Sequence, residues 1–294
     1  MKLRFKHQKF QADAAKAVVD VFAGQPYLTP SYMIDRGYEG KTMKGEEFSQ
    51  ISATEEQDFT GWSNHKIVPE LSDRLILEHL QKIQRENQIE PSPKLEGRYN
   101  LTVEMETGVG KTYTYIKTMY ELNRAYGWSK FIVVVPSIAI REGVYKTFQV
   151  TEHFAEEYGK KIRFFIYNSA QLTEIDRFAS DSSINVMIIN SQAFNARGND
   201  ARRIYMKLDE FRSRRPIDII AKTNPILIID EPQSVEGKQT KERLKQFNPL
   251  LTLRYSATHK SDSIYNMVYR LDAMDAYNKR LVKKIAVKGI SESG

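Results

Sequence analysis

Eight residues, Met105-Glu-Thr-Gly-Val-Gly-Lys-Thr112, constrain the fold of this chain more than any other stretch. They follow an apolar, β-prone run, Leu101 to Met105. They lead into a helix-like one, Tyr113 to Tyr126, with Ile116, Met119, Tyr120 and Leu122 among its apolar positions. Strand, glycine loop, lysine, hydroxyl and helix form the arrangement that a nucleotide phosphate needs. Gly108 and Gly110 let the backbone curl until successive N–H groups face one anion, because glycine carries no penalty at positive φ. The helix behind them adds its N-terminal partial positive charge. Lys111 supplies a full charge to the β- and γ-phosphates, and the Thr112 hydroxyl is placed to ligate Mg²⁺. Met105 stands where the GxxxxGK(S/T) pattern has its first glycine. An ordinary glycine-containing turn before a helix is the blander reading, and the strand-to-helix context weighs against it.

A second segment supplies what the first lacks. Pro225-Ile-Leu-Ile-Ile-Asp-Glu-Pro-Gln233 is a short apolar run ending in two carboxylates and a proline. A continuous apolar run fits a strand buried on both faces of a parallel sheet, and such sheets bind ligands at the carboxyl ends of their strands. Asp230 and Glu231 would emerge there. Asp230 can hold Mg²⁺ through its water shell, and Glu231 can orient and deprotonate the water that attacks the γ-phosphate. An acidic turn after a strand is common by itself; a phosphate loop followed in order by strand, Asp and Glu is not.

Three more strand-like runs end in polar groups: Phe131 to Val135 before Pro136-Ser137, Val186 to Ile189 before Asn190-Ser191-Gln192, and Leu251 to Tyr255 before Ser256-Ala-Thr258. Near the amino terminus, Phe10-Gln11 opens an amphipathic helix with Ala14, Ala15, Val18, Val19 and Phe22. In this order the segments resemble the motifs of a superfamily 2 helicase or translocase. The wording METGVGKT, VVPSIAIREGV, DEPQ, YSATH and Tyr269-Arg-Leu-Asp-Ala-Met-Asp-Ala-Tyr277 is similar to the restriction (Res) subunit of type III restriction–modification enzymes. The resemblance covers most of the chain outside residues 27–95. Its departures are Met105 for a small residue and Gln233 for the His or Asp that usually closes the carboxylate motif.

The resemblance implies an α/β, RecA-like P-loop NTPase lobe, a parallel sheet flanked by helices. It assigns ATP binding to Gln11, as the adenine reader, and to Thr107, Gly108, Val109, Gly110, Lys111 and Thr112. Catalysis falls to Glu231, Lys111 and Gln233, and metal binding to Thr112 and Asp230. Ser256 and Thr258 would couple nucleotide state to DNA grip, and Ser137, Arg141, Ser191 and Gln192 would lie beside the nucleic-acid path. The implied cofactors are ATP and Mg²⁺, and the implied partners are double-stranded DNA and a modification (methyltransferase) subunit. The family also uses a second RecA-like lobe and a nuclease domain, expected beyond this chain. Glu39-Gly-Lys41 and Glu236-Gly-Lys238 mimic part of a nuclease motif, but neither has a partner aspartate on a preceding strand, and both read as solvated turns. Two other readings stay open: a catalytically silent, nucleotide-dependent DNA-binding module, and a helicase acting in DNA repair or RNA remodelling.

With 294 residues, 41% of them hydrophobic, the chain can bury a full α/β core. Its division is expected at 1–26 (the helix with Gln11), 27–95 (insertion and linker), 96–275 (the nucleotide-binding lobe) and 276–294 (a connection to a second lobe). Zero cysteines exclude disulfides and thiolate metal sites, and the five histidines have no ligand-like spacing. The charged start lacks the apolar core of a signal peptide, and every apolar run is strand-length, so a cytoplasmic protein without a membrane span is expected. The net charge of +7 suits a polyanion partner. Residues 201–216 carry six basic residues. They could track a phosphate backbone, or form a solvated helix face with Ile204, Leu208 and Phe211 turned inward. In 27–95, Tyr27, Tyr32, Tyr38, Phe48, Phe59 and Trp62 follow no period and are expected to pin an irregular insertion onto the lobe, with an amphipathic helix from Ser72 to Asn87 (Leu75, Leu77, Leu80, Ile83).

Overall fold

The computed structural model describes residues 8–35, 59–97, 99–195, 203–235, 237–259 and 264–282. The charged first residues, Tyr38, Phe48, the Glu39-Gly-Lys41 turn, Arg202, Glu236 and the last twelve residues lie outside that set.

Seven strands form one sheet in the order β5-β6-β4-β7-β8-β3-β9, and every neighbouring pair is parallel. They are β3 (Asn100–Met105), β4 (Lys130–Val135), β5 (Ile162–Ile166), β6 (Ile184–Asn190), β7 (Ile226–Asp230), β8 (Leu251–Ser256) and β9 (Asn266–Leu271). The apolar runs are strands because both faces are covered: every residue of β4, β6, β7 and β8 is buried. Side chains alternate between two cores, as a period of two demands. Phe131, Val133 and Val135 face one core; Ile132 and Val134 face the other. Burying each such side chain contributes roughly 1.5–3 kcal/mol before conformational entropy is subtracted.

Helices α1 (Lys9–Asp20), α2 (Asp73–Glu86), α3 (Lys111–Tyr126) and α4 (Ile138–Val150) line the first core. α6 (Thr173–Ser180), the helix Pro216–Lys222 and the helix Lys238–Lys245 line the second, and α5 (His153–Tyr158) abuts α3. α2 begins at an N-cap, the Ser72 hydroxyl accepting from the Leu75 amide at 3.4 Å. Its inward face is Ile76, Leu80, Ile83 and Gln84, so the stripe is rotated from the expected one and leaves Leu75 and Leu77 half-buried.

Two regions differ from expectation. Residues 203–215 form two 3-10 turns, not a helix. Ile204, Leu208 and Phe211 do turn inward, while Arg214 makes a two-point ion pair with Asp176 and lies 4.3 Å from the Phe211 ring centroid. Arg212 and Ser213 adopt positive φ, which breaks any helical continuation. Upstream, β1 (Ser31–Asp35) and β2 (Phe59–Ser63) pair antiparallel as a separate two-stranded ribbon. Tyr32 and Trp62 meet edge to face, ring centroids 5.2 Å apart, with Tyr32 half-exposed. The ribbon is pinned by Asn64. Its side-chain amide donates to the carbonyls of Lys130 (2.9 Å) and Asn224 (3.0 Å), and its oxygen accepts from the amides of Ser129 (2.7 Å) and Lys130 (3.0 Å).

Candidate nucleotide site

β3, β7 and β8 deliver the chemistry to one edge of the sheet. β8 lies between the other two, so the loops after β3 and β7 face each other across its end. Residues about 120 apart in sequence thereby meet: Lys111 Nζ lies 2.9 Å from Glu231 Oε1, with both side chains largely buried.

The loop after β3 is built as its glycines suggest. Gly108 and Gly110 have φ of +83° and +92°. Gly110 has a second constraint, because a Cβ there would lie 2.8 Å from the Gln11 side-chain nitrogen. That nitrogen donates to the Val109 carbonyl at 3.2 Å, so α1 holds Gln11 against the loop from behind. Thr107 and Gly108 are exposed, Val109 is buried, and Lys111 opens α3 two residues earlier than periodicity suggests.

The loop after β7 is tighter. Glu231 has φ of +55°, a left-handed conformation that costs a non-glycine residue about 1 kcal/mol or more. Its amide donates to the Tyr255 carbonyl at 2.9 Å, and Pro232 follows. The turn directs the Glu231 side chain to Lys111. Gln233 donates its amide to Glu231 Oε2 (2.7 Å), and Ser256, at the end of β8, donates to the same oxygen (2.7 Å) and lies 2.8 Å from Gln233 Oε1. Thr258 joins through its backbone, its carbonyl 2.7 Å from the Ser256 hydroxyl, while its side chain is exposed.

The two carboxyls are polarised in opposite directions. Burial pushes Glu231 up, but hydrogen bonds from Gln233, Lys111 and Ser256 outweigh it and hold the group below the ordinary glutamate range. Asp230 is nearly inaccessible. Burial first, then the Glu231 charge, push it up to about 6 against the attraction of Lys111 and a hydrogen bond from Tyr115. A cation beside Asp230 would offset both destabilising effects. Hard oxygen donors, one hydroxyl and one carboxylate, suit Mg²⁺, which completes its shell with water and phosphate oxygens. The residues present therefore fit the ion.

The groups expected beside nucleic acid also come together. β4 and β6 are neighbours, and the Ser191 amide donates to the Val135 carbonyl at 2.9 Å, so Ser137, Arg141, Ser191 and Gln192 sit at the same carboxyl edge as the phosphate loop. Ser137 caps α4 through the Ile140 amide (3.3 Å), and Arg141 pairs with Glu142 (2.9 Å). In the basic segment, Arg203, Arg214 and Arg215 are engaged by Glu210, Asp176 and Asp218. Sequence reasoning passed over Tyr115, whose hydroxyl lies 3.4 Å from Asp230 Oδ2. Its position three residues after Thr112, on the same helix face, was the available signal.

A glycine loop and a strand-borne Asp-Glu pair, juxtaposed at the carboxyl edge of a fully parallel sheet between helices, define a RecA-like lobe of the P-loop ATPase class. The chain belongs to a family within that class, described as type III restriction enzyme, res subunit, whose model matches residues 46–261. It is 37% identical over 205 residues to the EcoP15I Res subunit of Escherichia coli, a match covering 63% of this chain and 21% of that protein. To the EcoPI Res subunit of Escherichia phage P1 it is 33% identical over 259 residues, covering 80% of this chain and 26% of that one. To the StyLTI Res subunit of Salmonella typhimurium it is 30% identical over 235 residues, covering 67% of this chain and 24% of that one. The chain thus spans about a quarter or less of the length of the curated relatives it matches. Among the described residues, no helix is long and apolar enough to cross a membrane.

Proposed function

We propose that this lobe binds ATP with Mg²⁺ and hydrolyses it as the motor lobe of a type III restriction endonuclease subunit acting on double-stranded DNA in the cytoplasm. The observation that carries the reading is the contact of Lys111 with Glu231, itself held by Gln233 and Ser256. A phosphate-binding lysine and a water-activating carboxylate stand within one γ-phosphate of each other.

In this reading the backbone of residues 107–110 and the α3 N-terminus cradle the phosphates, and Gln11 reads the adenine edge. Lys111 exchanges Glu231 for the γ-phosphate, which frees the carboxylate to take a proton from the attacking water. Glu231 suits that task because its proton affinity is low in the resting site and rises when the lysine is withdrawn. Thr112 and Asp230 would hold Mg²⁺, which when bound neutralises charge on the transferring phosphoryl group. Ser256 links Glu231 to the Thr258 backbone, a route by which nucleotide state reaches the end of β8. Ser137, Arg141, Ser191 and Gln192 contact the DNA backbone. The second RecA-like lobe, the nuclease domain and the modification subunit belong to the larger enzyme of this proposal.

Phosphate release by the full chain, followed with and without duplex DNA, tests the reading. DNA should accelerate turnover, and Glu231→Gln should lower it by about 100-fold or more while ATP still binds. Turnover that survives Glu231→Gln unchanged would sink the assignment.

A further inference from the structure

Tyr115 lies one helical turn beyond Thr112, inside the lobe and completely buried. Its ring packs edge-on against Tyr255, also completely buried, with centroids 5.5 Å apart. The two tyrosines are alike in burial and differ in what their hydroxyls meet. The Tyr255 hydroxyl pairs with the Thr118 hydroxyl at 3.0 Å, wholly within the interface of α3 and β8. The Tyr115 hydroxyl points the other way, donating to Asp230 Oδ2 at 3.4 Å and interacting with the Thr112 side chain.

Burying a phenol hydroxyl costs free energy unless partners replace water. A phenylalanine would fill the same space without that cost. The partners of this hydroxyl are the two residues that the proposed function assigns to Mg²⁺. We propose that Tyr115 is a positioning residue for the metal site, its hydroxyl bridging Thr112 and Asp230 so that their remaining lone pairs converge on one cation.

One hydroxyl can serve both, because it accepts one hydrogen bond while donating another. A metal-ligating hydroxyl keeps its proton and needs an acceptor for it, and the Tyr115 oxygen provides one for Thr112. The Tyr115 hydroxyl donates its hydrogen bond to one oxygen of Asp230, and the other oxygen would be left for the metal's water shell. The contact with Asp230 is long, at the outer limit of a hydrogen bond. The bridge therefore orients the carboxylate without neutralising it. Outer partners of this kind typically alter metal affinity or activity 10- to 100-fold, roughly.

This inference rests on the proposed nucleotide site, and the experiment separates the two. Mn²⁺ in place of Mg²⁺ is titrated into the full chain with ATP and followed by its electron paramagnetic resonance signal; ATP binding is measured in parallel with metal chelated. Tyr115→Phe should raise the Mn²⁺ concentration for half-occupancy about 10-fold and change chelator-insensitive ATP binding less than about 2-fold. Tyr255→Phe removes an equally buried hydroxyl that does not reach the site, and should leave the metal titration unchanged. Asp230→Asn removes the acceptor, and adding Tyr115→Phe to it should produce less than about 2-fold further loss. A wild-type metal titration for Tyr115→Phe overturns the inference. So does an equal loss in Tyr255→Phe, or full additivity with Asp230→Asn. Failure of the underlying site looks different: ATP binding would then be insensitive to Lys111→Ala.

Discussion

Each end of the sheet holds a lysine out of water, and the two lysines are used in opposite ways. At the amino edge, Lys130 begins β4 with no exposed surface. Its ammonium donates to the Phe178 carbonyl (2.5 Å) and the Asp181 carbonyl at the end of α6. Beside it, Asn64 satisfies four backbone groups. At the carboxyl edge, Lys111 meets a side chain, Glu231, on a backbone twisted into the left-handed region. Backbone partners cannot leave without unfolding the local structure; a side-chain partner can rotate away. The amino edge is therefore architecture, and the carboxyl edge is a set of exchangeable contacts waiting for a better anion.

If that contrast is right, damage to the two edges should separate stability from binding. The largest stability loss is expected at the amino edge. Asn64→Ala strands two donors and two acceptors beside β4, and at roughly 1–3 kcal/mol for each group left unpaired, partly recovered by water, about 4 kcal/mol should be lost. Denaturant unfolding measures it, and ATP affinity of the folded fraction should not move. A loss under about 1 kcal/mol would mean that the ribbon is not held by Asn64.

The next effect is a pH dependence. Burial, opposed by Asp181, pushes the Lys130 pKa down to about 7 from an ordinary value near 10.5. Between those values the unfolded chain binds more protons at this position, so its contribution to stability should rise with pH from 7 upwards. Below 7 the group is charged in both states and contributes no slope. The comparison is between wild type and Lys130→Met over pH 7 to 9: wild type should gain on the order of 2 kcal/mol relative to the variant. Parallel curves would show that the carbonyls of α6 keep the ammonium charged.

Lys111→Ala should do the reverse of Asn64→Ala. Glu231 keeps Gln233 and Ser256, so the stability change should stay below about 1 kcal/mol. ATP affinity should fall about 100-fold, close to 3 kcal/mol. Calorimetric titration of the two variants side by side checks both halves, and a destabilised Lys111→Ala would erase the distinction between the edges.

How much of this was legible follows from the same division. β4, β6, β7 and β8 were readable because strands covered on both faces must be continuously apolar. β5 and β9 were not identified as strands, because their outward Arg163 and exposed Arg270 interrupt the run. The glycine loop and Asp230-Glu231 were readable as local patterns. Their meeting at one phosphate was expected from the order of the motifs; the strand order that brings it about, with β8 between β3 and β7, is not displayed by a single sequence. The ribbon was illegible for another reason: it is held largely by polar contacts to backbone groups, from Ser63 and Asn64, and leaves no hydrophobic period. Tyr115 was hidden because a buried tyrosine on an amphipathic helix looks like core, and only the direction of its hydroxyl separates it from Tyr255.

The smallest expected effect probes the exchange itself. If Lys111 must release Glu231 before it can hold a γ-phosphate, part of the intrinsic binding energy is spent breaking that pair. Glu231→Gln keeps the contacts to Gln233 and Ser256 sterically possible while removing the charge that both engages Lys111 and repels the phosphate. ATP affinity in the variant should therefore rise a few-fold, under about 1 kcal/mol, even as turnover is lost. ADP, which has no γ-phosphate at that position, should gain less. Equal gains for the two nucleotides would place the effect in general electrostatics and not in the competition for Lys111; no gain for either would mean that the resting ion pair is too weak to oppose the nucleotide.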